Sequence, residues 1–188
     1  MESMLKETEM LKMKYNLDRV WWINTPEGRK DNNGYSAPFP LWWVRYDLQG
    51  WGYLIGEQHP QGEWINRKLQ AEMPKVYYAD SVDVRQADIL LDISTEYLPK
   101  MVNFIFCMAV LEHVYDPLSA IRHMTAALYP GGLLCVSVPG QGFKQHRRPI
   151  DCYRFLEDSM MAFSKVGGVQ LLDYTPAGKE WCAIYRKN

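Results

Sequence analysis

The stretch FIFCMAVLEHVYDPLSAIRHMTAALYPGGLLCVSV, residues 104–138, decides the fold. It opens on a run, 104–110, that is apolar at odd and even positions alike. Such a run fits a strand shut off from water on both faces, as in a parallel sheet. A short polar link follows. Over residues 116–132 the pattern turns helical, with Leu118, Ile121, Met124 or Thr125, and Leu128 on one stripe and Pro130-Gly131-Gly132 as the stop. Residues 133–138 then read as another buried strand.

The same alternation extends outward in both directions. Upstream lie a short apolar strand at 52–56, a turn EQHPQG, a helix-like segment 63–73 stopped by Pro74, and two strands, 75–80 and 87–92, each ending in aspartate. Downstream lie a glycine-terminated helix at 156–168 and two last strands, VQLLDYT and WCAIYRK. Alternating strands and helices predict an α/β fold: a doubly wound, Rossmann-like, mostly parallel sheet of about seven strands with helices on both faces, spanning residues 50–188.

The chain has 188 residues, 47% hydrophobic and 23% charged, the balance of an ordinary soluble globular protein of one domain with an appendage. A formal net charge of −1 and the lack of a basic stripe argue against nucleic acid as a partner. No stretch approaches the ~18 apolar residues that cross a bilayer. The charged N-terminus does not have the form of a signal peptide, so a cytoplasmic location is expected. The four cysteines, Cys107, Cys135, Cys152 and Cys182, are far apart and include no CxxC, which suits a reduced protein without disulfides or zinc.

Residues 1–49 differ in composition. A weakly amphipathic helical segment leads into a loop rich in Pro, Gly, Asn and Asp, bracketed by Trp21-Trp22 and Trp42-Trp43. Three readings are open for this extension: a brace packed on the domain, a lid closing over a ligand, or an arm for a second copy or another protein.

In an open α/β sheet, ligands bind outside the C-terminal ends of the strands, so the residues just after each strand carry the function. Here they are Gly56-Glu57-Gln58, Asp80, Asp92, residues 109–113 and Pro139-Gly140. Asp80, 24 residues after Gly56, stands where an acid accepts hydrogen bonds from ribose hydroxyls. Glu112-His113 lacks the HExxH spacing of a metalloprotease. Neighbours on a strand point to opposite faces and do not chelate one ion together, so no metal site is expected. The pair either pins the next loop or turns one member toward a substrate.

ADILLDISTEYLP followed by FIFCMAVLEHVYDPLSAIRHMTAALYPGGLLCVSVPG resembles the second half of a class I S-adenosylmethionine-dependent methyltransferase. PGQGFKQHRRPIDCYRF, residues 139–155, is similar to a segment of a subgroup found among small-molecule and sugar-modifying methyltransferases. The resemblance covers residues 52–175. It implies S-adenosylmethionine as cofactor, with Gly56 and Glu57 at the first turn, Asp80 on the ribose, Asp92 and Ile93 at the adenine, and residues 107–110, Met108 and Ala109 among them, under the methionine part. It puts Glu112 and His113 at the rim, His113 toward the substrate. The family's usual turn is D/E-x-G-x-G-x-G. This chain keeps Gly56 and Gly62 but sets Glu57, Gln58, His59 and Pro60 between them.

Methyl transfer is an in-line displacement in which positioning does most of the work, although an oxygen or nitrogen acceptor also has a proton to lose. His146 or Asp151 is the candidate to take it. Arg147 and Arg148 suit an anionic acceptor group such as phosphate or carboxylate. Tyr153 lines the acceptor pocket in this reading, Phe155 is a core anchor, and His59 and His123 have no assigned role. The expected activity is methyl transfer to an oxygen or nitrogen of a small molecule, a sugar or nucleotide-linked metabolite. The competing expectation is a non-catalytic binding or assembly protein on the same fold, its cofactor turn lost.

Overall fold

A computed structural model describes residues 50–56, 75–80, 89–147 and 150–188. The N-terminal extension, Glu57, the helix-like segment 63–73 and Arg148 lie outside the described residues. The sheet is built around β4 (Val102–Met108), whose Phe104, Ile105, Phe106 and Cys107 are at most 1% exposed. Residues apolar at both parities fill both faces of the central strand, as the sequence leads one to expect. On one side β4 pairs in parallel with β1 (Trp51–Ile55), which pairs with β2 (Lys75–Asp80), which pairs with the two-residue β3 (Ile89–Leu90). On the other it pairs in parallel with β5 (Leu128–Pro139). Then β7 (Glu180–Lys187) runs antiparallel between β5 and β6 (Val169–Ala177), giving the order β3-β2-β1-β4-β5-β7-β6. Five of these strands, β1 and β4 to β7, are long and have described side chains; only β7 runs against the others.

Two helices cover one face. α1 (Pro117–Ala126) is capped by Asp116, whose carboxylate accepts from the Leu118 and Ser119 amides at 3.1 and 3.0 Å and from Ser119 Oγ at 2.7 Å. A cap of this kind is worth about 1 kcal/mol. Ala120, Ile121 and Met124 are fully buried in the core that also holds Met160 and Phe163 of α2 (Asp158–Gly167). Gly168 ends α2 in the left-handed conformation, φ 62°. Helices on both faces are the sequence expectation; the two described helices pack on the same face.

Three boundaries differ from the sequence reading. The helix stops at Ala126 rather than running to Gly132, because the Ala127 carbonyl accepts from the Val102 amide at 2.8 Å and Leu128 pairs with Val102. The sheet thereby takes over residues that continue the helical stripe. β3 ends at Leu90 rather than at Asp92, because Asp92 builds a turn, accepting from the Ser94 amide at 2.9 Å and Ser94 Oγ at 2.6 Å. β4 ends at Met108, because Ala109 takes φ 51° and turns the chain.

Candidate active site

The turn at Ala109 decides how the next residues are aimed. After it, residues Leu111–His113 form one turn of 3-10 helix rather than the end of a strand. Glu112 and His113 therefore do not point to opposite faces: His113 Nε2 lies 3.7 Å from Glu112 Oε1. This corrects the expectation that the two cannot meet at one point, and the cause is the positive φ at a residue type that rarely adopts it.

The loop from β5 to α2 folds over this turn. The Cys152 amide donates to the Glu112 carbonyl at 2.8 Å, and the Phe155 amide donates to the Pro139 carbonyl at 2.8 Å. Phe155 is buried against Phe163, so it is the anchor expected of it. Together these contacts set His146 beside the turn, its Nε2 3.6 Å from Glu112 Oε1 and its ring edge-on to His113 with centroids 4.8 Å apart.

Two carboxylates flank His146. The Asp151 side chain has no exposed surface and is fully engaged: Arg154 reaches it through two nitrogens at 2.5 and 2.7 Å, and the His146 amide donates to it at 2.7 Å. Arg154 holds its carboxyl well below the usual carboxylate range, with the His146 amide adding to the effect. Arg154 is itself braced by the carbonyls of Phe143, Lys144 and Tyr153.

Glu112 is the opposite case. Its side chain also has no exposed surface, yet neither carboxylate oxygen closes a hydrogen bond. Burial pushes its carboxyl up to about 7, with repulsion from Asp151 adding to the rise; its own backbone amide and Arg154 pull the other way. His146 Nε2 is likewise buried without a partner. Burial holds the His113 imidazole below its ordinary value, against the pull of the Ile150 carbonyl, which Nδ1 meets at 2.5 Å.

A third carboxylate belongs to the same polar end of the sheet and escaped the sequence reading. Glu180, the first residue of β7, pairs across from Pro139 and is 3% exposed. Neither of its carboxylate oxygens has a partner, and burial, then repulsion from Glu112, pushes its carboxyl up to about 8. Ser137 Oγ on β5 is also buried and unpartnered. The only signal for Glu180 in the sequence is a lone acid opening an apolar strand, which elsewhere marks an ordinary polar rim.

The remaining predicted site residues fall in three places. Gly56 ends β1 at φ 76°, and a Cβ there would meet Val110 Cγ2 at 2.3 Å, so the strand end and the Ala109 turn pack backbone to side chain. Asp80 is the last residue of β2, Asp92 builds its own turn, and Ile93 and Met108 are buried at 4% and 5% exposure. Arg147 is exposed, and Tyr153 donates its hydroxyl to the Tyr115 carbonyl at 2.7 Å. His123 is structural, bonded through Nδ1 to the Ile93 carbonyl at 2.7 Å. The cysteines are free thiols, three of them buried. No helix among the described residues is long and apolar enough to cross a membrane.

No curated protein matches this sequence. Similar solved structures include the 1,6-didemethyltoxoflavin-N1-methyltransferase of Burkholderia thailandensis, bound to 1,6-didemethyltoxoflavin and S-adenosylhomocysteine. Its TM-score is 0.65 at 13% identity, over 86% of this chain and 83% of that one. An S-adenosylmethionine-dependent methyltransferase of Clostridium acetobutylicum gives 0.62 at 11% identity, over 93% of this chain and 99% of the other. The [4+2]-cyclase SpnF gives 0.62 at 13% identity, over 84% and 85%. At such identities the likeness is one of fold. The sequence itself matches the model of the methyltransferase domain family over residues 46–186, well over half its length, and the chain belongs to that family.

Proposed function

We propose that this protein transfers a methyl group from S-adenosylmethionine to an oxygen or nitrogen of a small molecule. The observation that carries the reading is the cluster Glu112, His113 and His146 beyond the C-terminal end of β4, in a chain of the methyltransferase domain family. Ligands of such sheets sit at that edge.

The residues at the edge suit the cofactor. Gly56 leaves no side chain between the end of β1 and Val110, and Asp80, the last residue of β2, is read as the ribose acceptor. Asp92 and Ile93, past the end of β3, and Met108 and Ala109, at and just past the end of β4, complete this edge in our reading, with Glu57 following Gly56. The cofactor brings an electrophilic methyl on a sulfonium. The chain's own work is to hold the acceptor in line and to take its proton.

His146 suits the proton better than Asp151 does. With Nδ1 turned to the Lys144 carbonyl at 3.3 Å, its lone pair is on Nε2, facing Glu112. Asp151, clamped by Arg154, has lost the basicity such a role requires, and is read as a positioning residue instead. His113 and the exposed Arg147 meet the acceptor, with Arg148 the second cation for an anionic group. Tyr153 spends its hydroxyl on Tyr115 and offers only its ring.

Calorimetric titration with S-adenosylmethionine and, separately, S-adenosylhomocysteine tests the reading. Micromolar binding is expected, weakened at least tenfold, about 1.4 kcal/mol, in Asp80→Ala. No binding at millimolar ligand would favour the second reading, a non-catalytic or differently reacting protein on this fold. The fold's occurrence in a protein named as a cyclase gives that alternative substance.

A further inference from the structure

We propose that Glu112, His113 and His146 form a binding site for one divalent transition-metal ion, of the class represented by Zn²⁺. Three features of the cluster carry the assignment.

The first is spacing. The three ligand atoms lie within 4.8 Å of one another, with Glu112 Oε1 3.7 Å from His113 Nε2 and 3.6 Å from His146 Nε2. These separations are too long for hydrogen bonds. Two donors bound to one ion at about 2.1 Å, at an angle of roughly 120°, stand that far apart. A rotation of His146, whose side chain is 25% exposed, closes the remaining gap between the two imidazoles.

The second is orientation. Each imidazole turns Nδ1 toward a backbone carbonyl, His113 to Ile150 and His146 to Lys144, with Asp151 Oδ2 a further 3.6 Å neighbour of His146 Nδ1. A carbonyl accepts only, so Nδ1 carries the hydrogen and Nε2 keeps its lone pair. Metal-binding histidines are held in the same way, by a carbonyl or carboxylate behind the ring. Both lone pairs here face the same carboxylate.

The third is the unpaid cost of Glu112. A carboxylate without exposed surface and without a donor is expensive to bury. A cation bound at Oε1 offsets that cost; its own backbone amide and Arg154 act in the same direction, but neither closes a hydrogen bond with the carboxylate. Two imidazoles and one carboxylate select zinc, cobalt, nickel or iron over magnesium and calcium, which take oxygen ligands. Three protein ligands leave coordination positions open, as in catalytic rather than structural sites.

The role of the ion rests on the reading of the function given above, whereas its binding does not. In the metal-free chain His146 is the proton acceptor. In the loaded chain its lone pair is spent on the ion, and an acceptor hydroxyl coordinated there loses its proton to solvent more readily because the ion stabilises the oxyanion.

The test is calorimetric titration of chelator-stripped protein with zinc chloride, followed by titration with Co²⁺ read by visible absorption. One ion per chain at micromolar affinity or tighter is expected, with cobalt d–d bands and no thiolate charge-transfer band. Affinity should fall at least tenfold in His113→Ala and in Glu112→Gln, with melting curves showing that each variant is folded. Absence of saturable uptake by the parent chain overturns the proposal. So do unchanged affinity in both folded variants and a thiolate band, which would put the ion on the exposed Cys152. Titration of the same preparation with S-adenosylmethionine keeps the two readings apart: cofactor binding without zinc uptake sinks the ion alone, and zinc uptake without cofactor binding sinks the methyl-transfer reading alone.

Discussion

Asp151 and Glu112 flank the same histidine, each about 3.6 Å from one of its ring nitrogens, and neither side chain touches solvent. Beyond that they are opposites. The loop carrying Asp151 supplies its carboxylate with a guanidinium and a backbone amide, so the charge is neutralised and the geometry fixed. The turn carrying Glu112 closes no hydrogen bond to its carboxylate and offers it only the pull of the residue's own backbone amide. Similar burial thus yields a brace in one region and an unsatisfied, high-energy group in the other. Folding alone favours the first arrangement. The second persists where something outside the fold makes use of it.

The sharpest way to break the contrast is to neutralise each side in turn. Asp151→Asn leaves Arg154 without its counter-charge and the His146 amide with a weaker acceptor. Removing one partner of a buried pair costs about 3 kcal/mol, so urea unfolding should show a loss of that order. An unchanged midpoint would mean that the loop is held by Phe155 and the Cys152 amide, and that Asp151 is not its brace.

The unsatisfied carboxylates should respond with the opposite sign. Glu180 and Glu112 have folded-state values near 8 and 7 against an ordinary 4.5, so folding favours their protonated forms. Their contribution to stability is fully present below about pH 4.5 and is lost as pH rises through 7 and 8. Each pKa unit corresponds to about 1.4 kcal/mol, and mutual repulsion between the two relaxes when either is removed. Glu180→Gln should therefore gain about 2 kcal/mol at pH 9, a rise of some ~4–8 °C in melting temperature, and gain nothing at pH 4. Glu112→Gln should move the same way with a smaller gain. A gain of equal size at both pH values would show that the effect is one of packing and not of charge.

Arg154→Lys sharpens the brace side. Lysine keeps the charge but not the planar fork that meets Asp151 through two nitrogens while facing the Phe143 and Lys144 carbonyls. A loss of about 1 kcal/mol in urea unfolding is expected, well short of that for Asp151→Asn. Losses of the same size would mean that the fork, not the charge, holds the loop.

The contrast also marks what sequence could and could not convey. β4 was legible because Phe104 to Cys107 are apolar at both parities, and only a strand covered on both faces accommodates that. The segment 139–155 stood out because His146, Asp151 and Tyr153 crowd into it, and the fold does bring His146 and Asp151 together there. The aim of Glu112 was not. It depends on Ala109 turning at φ 51°, and alanine carries no turn signal of the kind that glycine or asparagine does. Read as a strand, the pair points to opposite faces; read as a 3-10 turn, it converges with a histidine more than thirty positions away. Glu180 was missed for a related reason. Its burial comes from the antiparallel return of β7 against β5, a pairing between strands that are not neighbours in the chain. The end of the helix at Ala126 was hidden as well, since Leu128 suits a helical stripe and a sheet edge equally, and the partner that decides is Val102.

The smallest expected effect tests whether the brace extends to Tyr153. Its hydroxyl donates to the Tyr115 carbonyl at 2.7 Å, tying the loop after β5 to the link before α1, while the ring is partly exposed and lies 5.9 Å from that of Phe155. Tyr153→Phe removes one hydrogen bond and leaves an exposed carbonyl that water can serve, so the loss should be only about 0.5–1 kcal/mol. If the hydroxyl is purely a tie, affinity for acceptor and cofactor should be unchanged, and a double variant with Arg154→Lys should lose more than the sum of the two, because both hold one loop. Strict additivity would separate the Tyr153 tie from the Asp151 brace. A drop in methyl transfer with stability intact would move Tyr153 to the other side of the comparison, among the groups that the fold holds in reserve for a ligand.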